Sequence, residues 1–171
     1  MTERLSIPVL ATERLRLRGP LEADFDAYAA FWAGPRTVFV GGPQDQRASW
    51  QRFAANLGHW ALKGFGWWIV TEAGRPVGTV GLHHPPYLAD TELGWVTFDG
   101  HEGRGVAFEA ASVVLAWAAR TQRPARLVST IAPANTASVR LAQRLGAVIA
   151  GPAAHDPDAM THVHDLQRYA A

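Results

Sequence analysis

The chain has no cysteine and one lysine, Lys63, among 171 residues. The first absence excludes disulfides, thiolate metal sites and a cysteine nucleophile. The second removes the phosphate-binding Walker loop, because Lys63 stands in no GxxxxGK[ST] context. No GxSxG elbow occurs, so a serine hydrolase of that type is excluded. No apolar run approaches the ~18 residues that a membrane span needs. The first residues carry Glu3 and Arg4 and lack the apolar core of a signal peptide. The expectation is a cytoplasmic location with no membrane partner. Acidic residues are missing between Glu109 and Asp156, where Arg120, Arg123, Arg126, Arg140 and Arg144 fall. That stretch is either a solvated surface or a basic face for an anionic ligand. It shows no nucleic-acid motif and no aromatic–basic interleaving, so no nucleic-acid partner is expected.

What is present is an ordinary globular composition, 48% apolar and 18% charged, with a formal net charge of +1. At this length one domain over residues 1–171 is expected. Residues 10–18 alternate, with Leu15 and Leu17 on one face, and read as a half-buried strand. Helical spacing follows over 21–32, with Glu22, Asp24 and Asp26 placed to complement the helix dipole. A second helix reads over 45–62. Residues 67–71 and 76–82 form strands joined by a turn at Ala73 and Gly74. A strand over 91–97, a helix over 106–120, a strand over 126–131 and a helix over 135–145 follow, the last stopped by Gly146. A short strand at 147–150 and another around 161–166 complete the chain. Three consecutive strands without crossovers argue against a doubly wound parallel sheet. A mixed, mostly antiparallel α/β (α+β) sheet flanked by helices fits better.

The most informative segment is TELGWVTFDGHEGRGVAFEA, residues 91–110. Gly100, Gly103 and Gly105 crowd the loop just before a helix. A helix that starts on glycines presents free backbone N–H groups with little bulk around them, which suits a phosphate. The spacing is GxxGxG, not the dinucleotide GxGxxG, and no acidic residue follows about 20 positions on to hold a ribose. The remaining option is a pyrophosphate on the helix N-terminus with the ligand's tail beside the preceding strand.

With these motifs the chain resembles the GNAT superfamily of N-acetyltransferases, and within it the ribosomal-protein N-terminal acetyltransferases and their relatives. The resemblance rests on TERLRLR (residues 12–18) before an acidic helix, GTVGL (78–82), ELGW (92–95), HEGRGVAFEA (101–110) and APANTASVRLAQRLGAV (132–148). It implies acetyl-CoA as cosubstrate and no metal. It implies that Glu102, Gly103, Arg104, Gly105, Val106 and Ala107 wrap the pyrophosphate; the Arg104 side chain reads either as reaching a phosphate oxygen or as a surface arginine. It also implies a bulged strand whose backbone near Val96 and Thr97 meets the pantetheine arm and polarises the thioester carbonyl.

Glu92 matches a glutamate that serves as general base in this branch, and an amine must lose a proton before it attacks a thioester. Asn135 is a plausible helix cap and matches a cofactor contact. Ser138 matches the serine of the NxxS pattern that touches the pantetheine arm or thiol, and is the candidate acid. Two departures stand out. Glu102 puts a carboxylate where the family has glutamine, arginine or an aromatic residue. Ala142 occupies the place of a tyrosine that protonates the leaving thiolate in many members.

Trp60, Trp67 and Trp68 read either as core or as cation–π partners for an amine. His83 and His84 could edge the acceptor site. His162 and His164 alternate as ligands on one strand face would, but no third ligand can be argued. The reading is an acyl-CoA-dependent N-acyltransferase in which a primary amine attacks the bound thioester directly, since no cysteine can carry the acyl group. The alternative is a non-catalytic acyl-CoA-binding module on the same fold. The acceptor is a small-molecule amine (an amino acid, a polyamine or an aminoglycoside-like compound) or a protein N-terminus; an acidic cleft of Asp90, Glu92 and Asp99 would favour the aminoglycoside-like one. A homodimer is possible.

Overall fold

The computed structural model describes residues 5–170. Its centre is an eight-stranded mixed sheet in the order β1-β2-β3-β4-β5-β6-β8-β7. The strands are β1 (Leu10–Ala11), β2 (Leu15–Arg18), β3 (Trp67–Glu72), β4 (Arg75–His83), β5 (Thr91–Thr97), β6 (Leu127–Ile131), β7 (Val148–Pro152) and β8 (Met160–Val163). The helices are α1 (Phe25–Trp32), α2 (Gln46–Lys63), α3 (Val106–Trp117) and α4 (Thr136–Arg144). Every neighbouring pair in the sheet is antiparallel except β5–β6.

The element order expected from the sequence holds, with one split. Residues 10–18 are not one strand but a tight hairpin, Leu10 opposite Leu17. Thr12 closes it: its N–H donates to the Leu15 carbonyl at 2.9 Å, and its hydroxyl oxygen accepts from the Leu15 N–H at 3.0 Å. A threonine that satisfies backbone locally competes with the ladder, and alternation alone does not reveal this. The first-turn acids also divide their tasks. Asp24 is buried and takes a two-pronged grip from Arg18, at 2.7 and 2.8 Å, so it ties α1 to β2 and is no solvated dipole partner. The β3–β4 turn is as expected, with positive φ at both Ala73 and Gly74.

α2 begins on Asp45, whose carboxylate accepts from the Ala48 N–H at 2.7 Å, and ends on left-handed Gly64. α3 starts on Gly105 at φ +77° and runs into one wider turn over Ala118–Gln122.

Two cores sit on opposite faces of the sheet. On one, Trp60, Trp68, Leu82, Leu93 and Leu127 pack against Val114, Leu115 and Ala118 of the α3 region. On the other, Tyr28, Phe31, Trp32 and Phe53 of α1 and α2 pack against Ile69 and Phe98. Each fully buried large apolar side chain contributes about 1.5–3 kcal/mol. The second core is a net of edge-on rings, Tyr28 to Phe53 at 5.1 Å and Phe31 to Trp32 at 5.4 Å, and so holds α1 and α2 at fixed positions over the sheet.

Candidate active site

The site exists because β5 and β6 part. They pair only at Thr91 with Leu127 and Glu92 with Val128, although β5 runs on to Thr97 and β6 to Ile131. The first step beyond the last paired rung is spanned by a side chain: the buried Ser129 hydroxyl donates to the Leu93 carbonyl at 2.7 Å. His164 Nε2 stands 2.9 Å from the same hydroxyl oxygen. Because that hydroxyl proton is committed to Leu93, the imidazole Nε2–H is the donor in this contact. Burial pushes the His164 pKa down to about 4, so the ring is neutral at pH 7.

A cavity of about 600 Å³ opens in the cleft on the α1/α2 side, and a groove of about 460 Å³ leads from it toward the start of α3. Trp95, Val96, Asn135 and Ser138 line both and mark their junction.

Alternation along β5 decides what each residue offers. The Phe98 N–H bonds the Val77 carbonyl at 2.9 Å, and the register continues unbroken through Val96 opposite Thr79 to Glu92 opposite His83. Hydrogen-bonded pairs alternate in an antiparallel ladder. The N–H of Val96 is therefore turned to β4, while the backbone groups of Leu93, Trp95 and Thr97 face the cleft. Two expectations are corrected. β5 carries no bulge against β4, the irregularity lying instead between Val70 and Thr71 of β3. The cleft-facing N–H nearest the junction is that of Trp95; Val96 contributes its side chain. Free N–H groups arise here from strand divergence, not from an inserted residue.

Glu92 faces the larger cavity and is partly buried. Its Oε1 accepts from the Thr130 hydroxyl at 2.7 Å and lies 3.3 Å from His155 Nε2. Directly across the ladder, His83 lines the same cavity. Burial and the neighbouring His59 push its pKa down to about 4, so it is uncharged in the cavity at neutral pH. Trp67 forms part of the wall, its indole packed so closely on Gly94 that a Cβ there would lie 2.4 Å from the ring. The glycine of ELGW is thus required by a tryptophan. Trp60 and Trp68 are core residues, as the packing reading held. Tyr28 lines the cavity with its hydroxyl held protonated, its pKa raised to about 12 by burial.

At the groove end, no side chain caps α3, and its first-turn N–H groups have no intrahelical partner. Gly103 and Gly105 have positive φ, and a Cβ on Gly103 would meet nothing within 4 Å. Gly103, Gly105, Ala107 and Thr97 line the groove. An open, glycine-lined helix start of this kind fits a pyrophosphate.

Two loop residues differ from expectation. The Arg104 guanidinium is bound to Glu72 at 2.7 Å and to His101 at 3.2 Å, so it fixes the loop instead of reaching into the groove. Val106 buries its side chain in the core, leaving only its N–H for a ligand. Glu102 does line the groove, and Arg36 stands 3.0 Å from it while also pairing with Asp99 at 2.7 Å. Arg144, stacked on Phe108 at 4.3 Å, brings a cation to the groove that the arginine-rich stretch foreshadowed.

Asn135 caps α4, its Oδ1 accepting from the Ser138 N–H at 3.3 Å, and Trp95 Nε1 donates to Ser138 Oγ at 3.3 Å. Ala142 is fully buried and lines neither cavity. Asp90 and Asp99 line neither the cavity nor the groove; they pair with Arg126 and Arg36. The site is therefore not an acidic cleft. Among the described residues no group of three or more His, Cys, Asp or Glu is arranged to hold a metal, and no helix is long and apolar enough to cross a membrane.

The model of the GNAT acetyltransferase domain matches residues 14–148. Among solved structures, an acetyltransferase from Agrobacterium tumefaciens is 38% identical, with a TM-score of 0.88, covering 96% of this chain and 98% of that one. The ribosomal L7/L12 alpha-N-protein acetyltransferase, solved in complex with coenzyme A, is 15% identical with a TM-score of 0.74 and coverage of 91% and 96%. The ribosomal-protein-S5-alanine acetyltransferase from Vibrio fischeri is 17% identical with a TM-score of 0.71 and coverage of 92% and 94%. The last two share the fold.

Proposed function

The chain belongs to the GNAT acetyltransferase family, and from that premise we propose that it carries acetyl from acetyl-CoA to a primary amine by direct attack in a ternary complex. The observation that carries this is the junction at Trp95 and Ser138, where a glycine-lined anion groove meets a cavity holding one carboxylate, Glu92. Acetyl-CoA, when bound, supplies the acyl group and a thiolate leaving group. The α3 N-terminus and Arg144 hold the phosphate end. The cleft-facing backbone of β5 supports the pantetheine arm, and the Trp95 N–H faces the position where negative charge develops on the acyl oxygen.

Glu92 takes the proton from the ammonium, directly or through one water. The Thr130 hydroxyl orients its carboxylate. Neutral His83 adds no charge to repel the ammonium. Ser138 Oγ, which accepts from the Trp95 indole, is left with its own proton to donate to the leaving sulfur. No side chain at position 142 assists; a thiol of pKa near ~8.5 leaves with little help. The pairing of Glu102 with Arg36 removes one reason to read the fold as a non-catalytic binder. We read the protein as a cytoplasmic enzyme acting as a single domain, alone or as a homodimer.

The test is steady-state acetylation of a primary-amine panel, followed by thiol release and product mass. Glu92→Gln lowers kcat by about 10²-fold or more, the contribution of a positioned base, with acetyl-CoA affinity retained. Full activity of that variant across pH removes Glu92 from the role.

A further inference from the structure

We infer that the acceptor amine carries an anionic group of its own, joined to the amine by an apolar body: a small amino carboxylate. The inference rests on the acetyl-transfer reading and names the acceptor class for that site.

The larger cavity is lined by two charged side chains, Glu92 and Arg52. Glu92 lies on β5 at the reaction end, and Arg52 lies on α2. The Arg52 guanidinium is stacked 4.1 Å above the Trp32 ring, and its Nε donates to Gln44 Oε1 at 3.3 Å. Among the described residues no carboxylate pairs with it, whereas Arg14, Arg18, Arg36, Arg104 and Arg126 all have acidic partners. Its charge is felt inside the cavity, where it favours ionisation of Tyr28 and disfavours protonation of His83.

The site thus offers one anion for an ammonium and, on the α2 wall, one oriented and unmatched cation. The surfaces around them are Tyr28, Trp32, Trp67 and Tyr87. A guanidinium fixed on an aromatic face recognises a carboxylate in plane through paired N–H donors. A polyamine or aminosugar would bring further positive charge toward Arg52. A peptide N-terminus would present a neutral amide where the carboxylate belongs.

The experiment compares acceptors matched in body: 6-aminohexanoate with hexylamine and 1,6-diaminohexane, 4-(aminomethyl)benzoate with benzylamine, and a short peptide with an apolar N-terminus. The wild type favours the carboxylate member of each pair by about tenfold in kcat/KM, the value of one partly solvated charge-assisted contact. Added salt narrows that ratio. In Arg52→Gln the members of each pair react alike, and Arg52→Lys keeps part of the preference.

Equal rates for matched pairs in the wild type, or preference for the diamine or the peptide, overturn this inference and leave acetyl transfer standing. Binding of acetyl-CoA without acetylation of any amine overturns the transfer reading and the acceptor class with it.

Discussion

Arg36 Nη1 stands 3.0 Å from Glu102 and 2.7 Å from Asp99, and the same nitrogen donates to the Thr97 carbonyl at 2.9 Å. One guanidinium is thus shared between Asp99 and the Glu102 carboxylate that the family pattern does not expect, and it anchors the end of β5 beside the groove. Arg36→Gln leaves Glu102 unpaired next to a bound pyrophosphate and weakens acetyl-CoA severalfold, an effect that grows at low salt. The double variant Arg36→Gln, Glu102→Gln recovers most of that loss. Calorimetric affinities for the wild type, both single variants and the double variant check this as a cycle.

Gly105 holds φ +77° at the start of α3. Gly105→Ala forces a Cβ into the left-handed region, at a cost of about 1–2 kcal/mol, and adds bulk where backbone must approach phosphate. The expected outcome is at least about tenfold weaker acetyl-CoA binding with a smaller loss of thermal stability. Equal affinity in the two proteins would remove the loop from the cofactor site.

Asp24 is 2% exposed and receives both Arg18 contacts as well as the Leu21 N–H at 2.8 Å. Asp24→Ala leaves a guanidinium and an amide without their acceptor. Removing one partner of such a pair costs about 3 kcal/mol, readable as a lower midpoint in urea unfolding. α1 carries Tyr28 and Trp32, so acceptor KM rises as well.

Burial depresses the His164 pKa from 6.5 to about 4. Between those values the unfolded chain binds a proton that the native protein refuses, so stability rises with pH in that window. The contribution of this group is complete above pH 6.5 and is lost as pH falls toward 4. Melting temperature therefore drops over this range in the wild type, and His164→Gln shows a shallower slope. An unchanged slope would assign the acid sensitivity to other groups.

Local signals in the sequence reached far. The order of elements, the glycine loop before α3, the hairpin at Ala73 and Gly74 and the Asn135 cap are all set by residues close in the chain, and each was legible. Contacts between distant residues were not. Arg36 and Glu102 are brought together only by the fold, and nothing near Arg36 marks it. Arg52 is one arginine on a polar helix until Trp32 is placed beneath it.

The resemblance implies a bulge and puts the Val96 backbone in the cleft. The phase of β5, however, is fixed only by its register with β4, which turns the Val96 N–H to β4 and the Trp95 N–H to the cleft. Arg104 looked like a phosphate ligand because Glu72, its partner across the sheet, is 32 positions away. Asp24 looked like a solvated helix acid because burial is a tertiary property.

The central claim is that the groove from Trp95 to Gly105 holds acetyl-CoA. The direct measurement is calorimetric titration of the purified protein with acetyl-CoA, with dephospho-CoA and NAD as controls. Saturable binding of acetyl-CoA at about micromolar affinity, weaker binding of dephospho-CoA and none of NAD is the predicted result. No binding of acetyl-CoA, or equal binding of NAD, would contradict it.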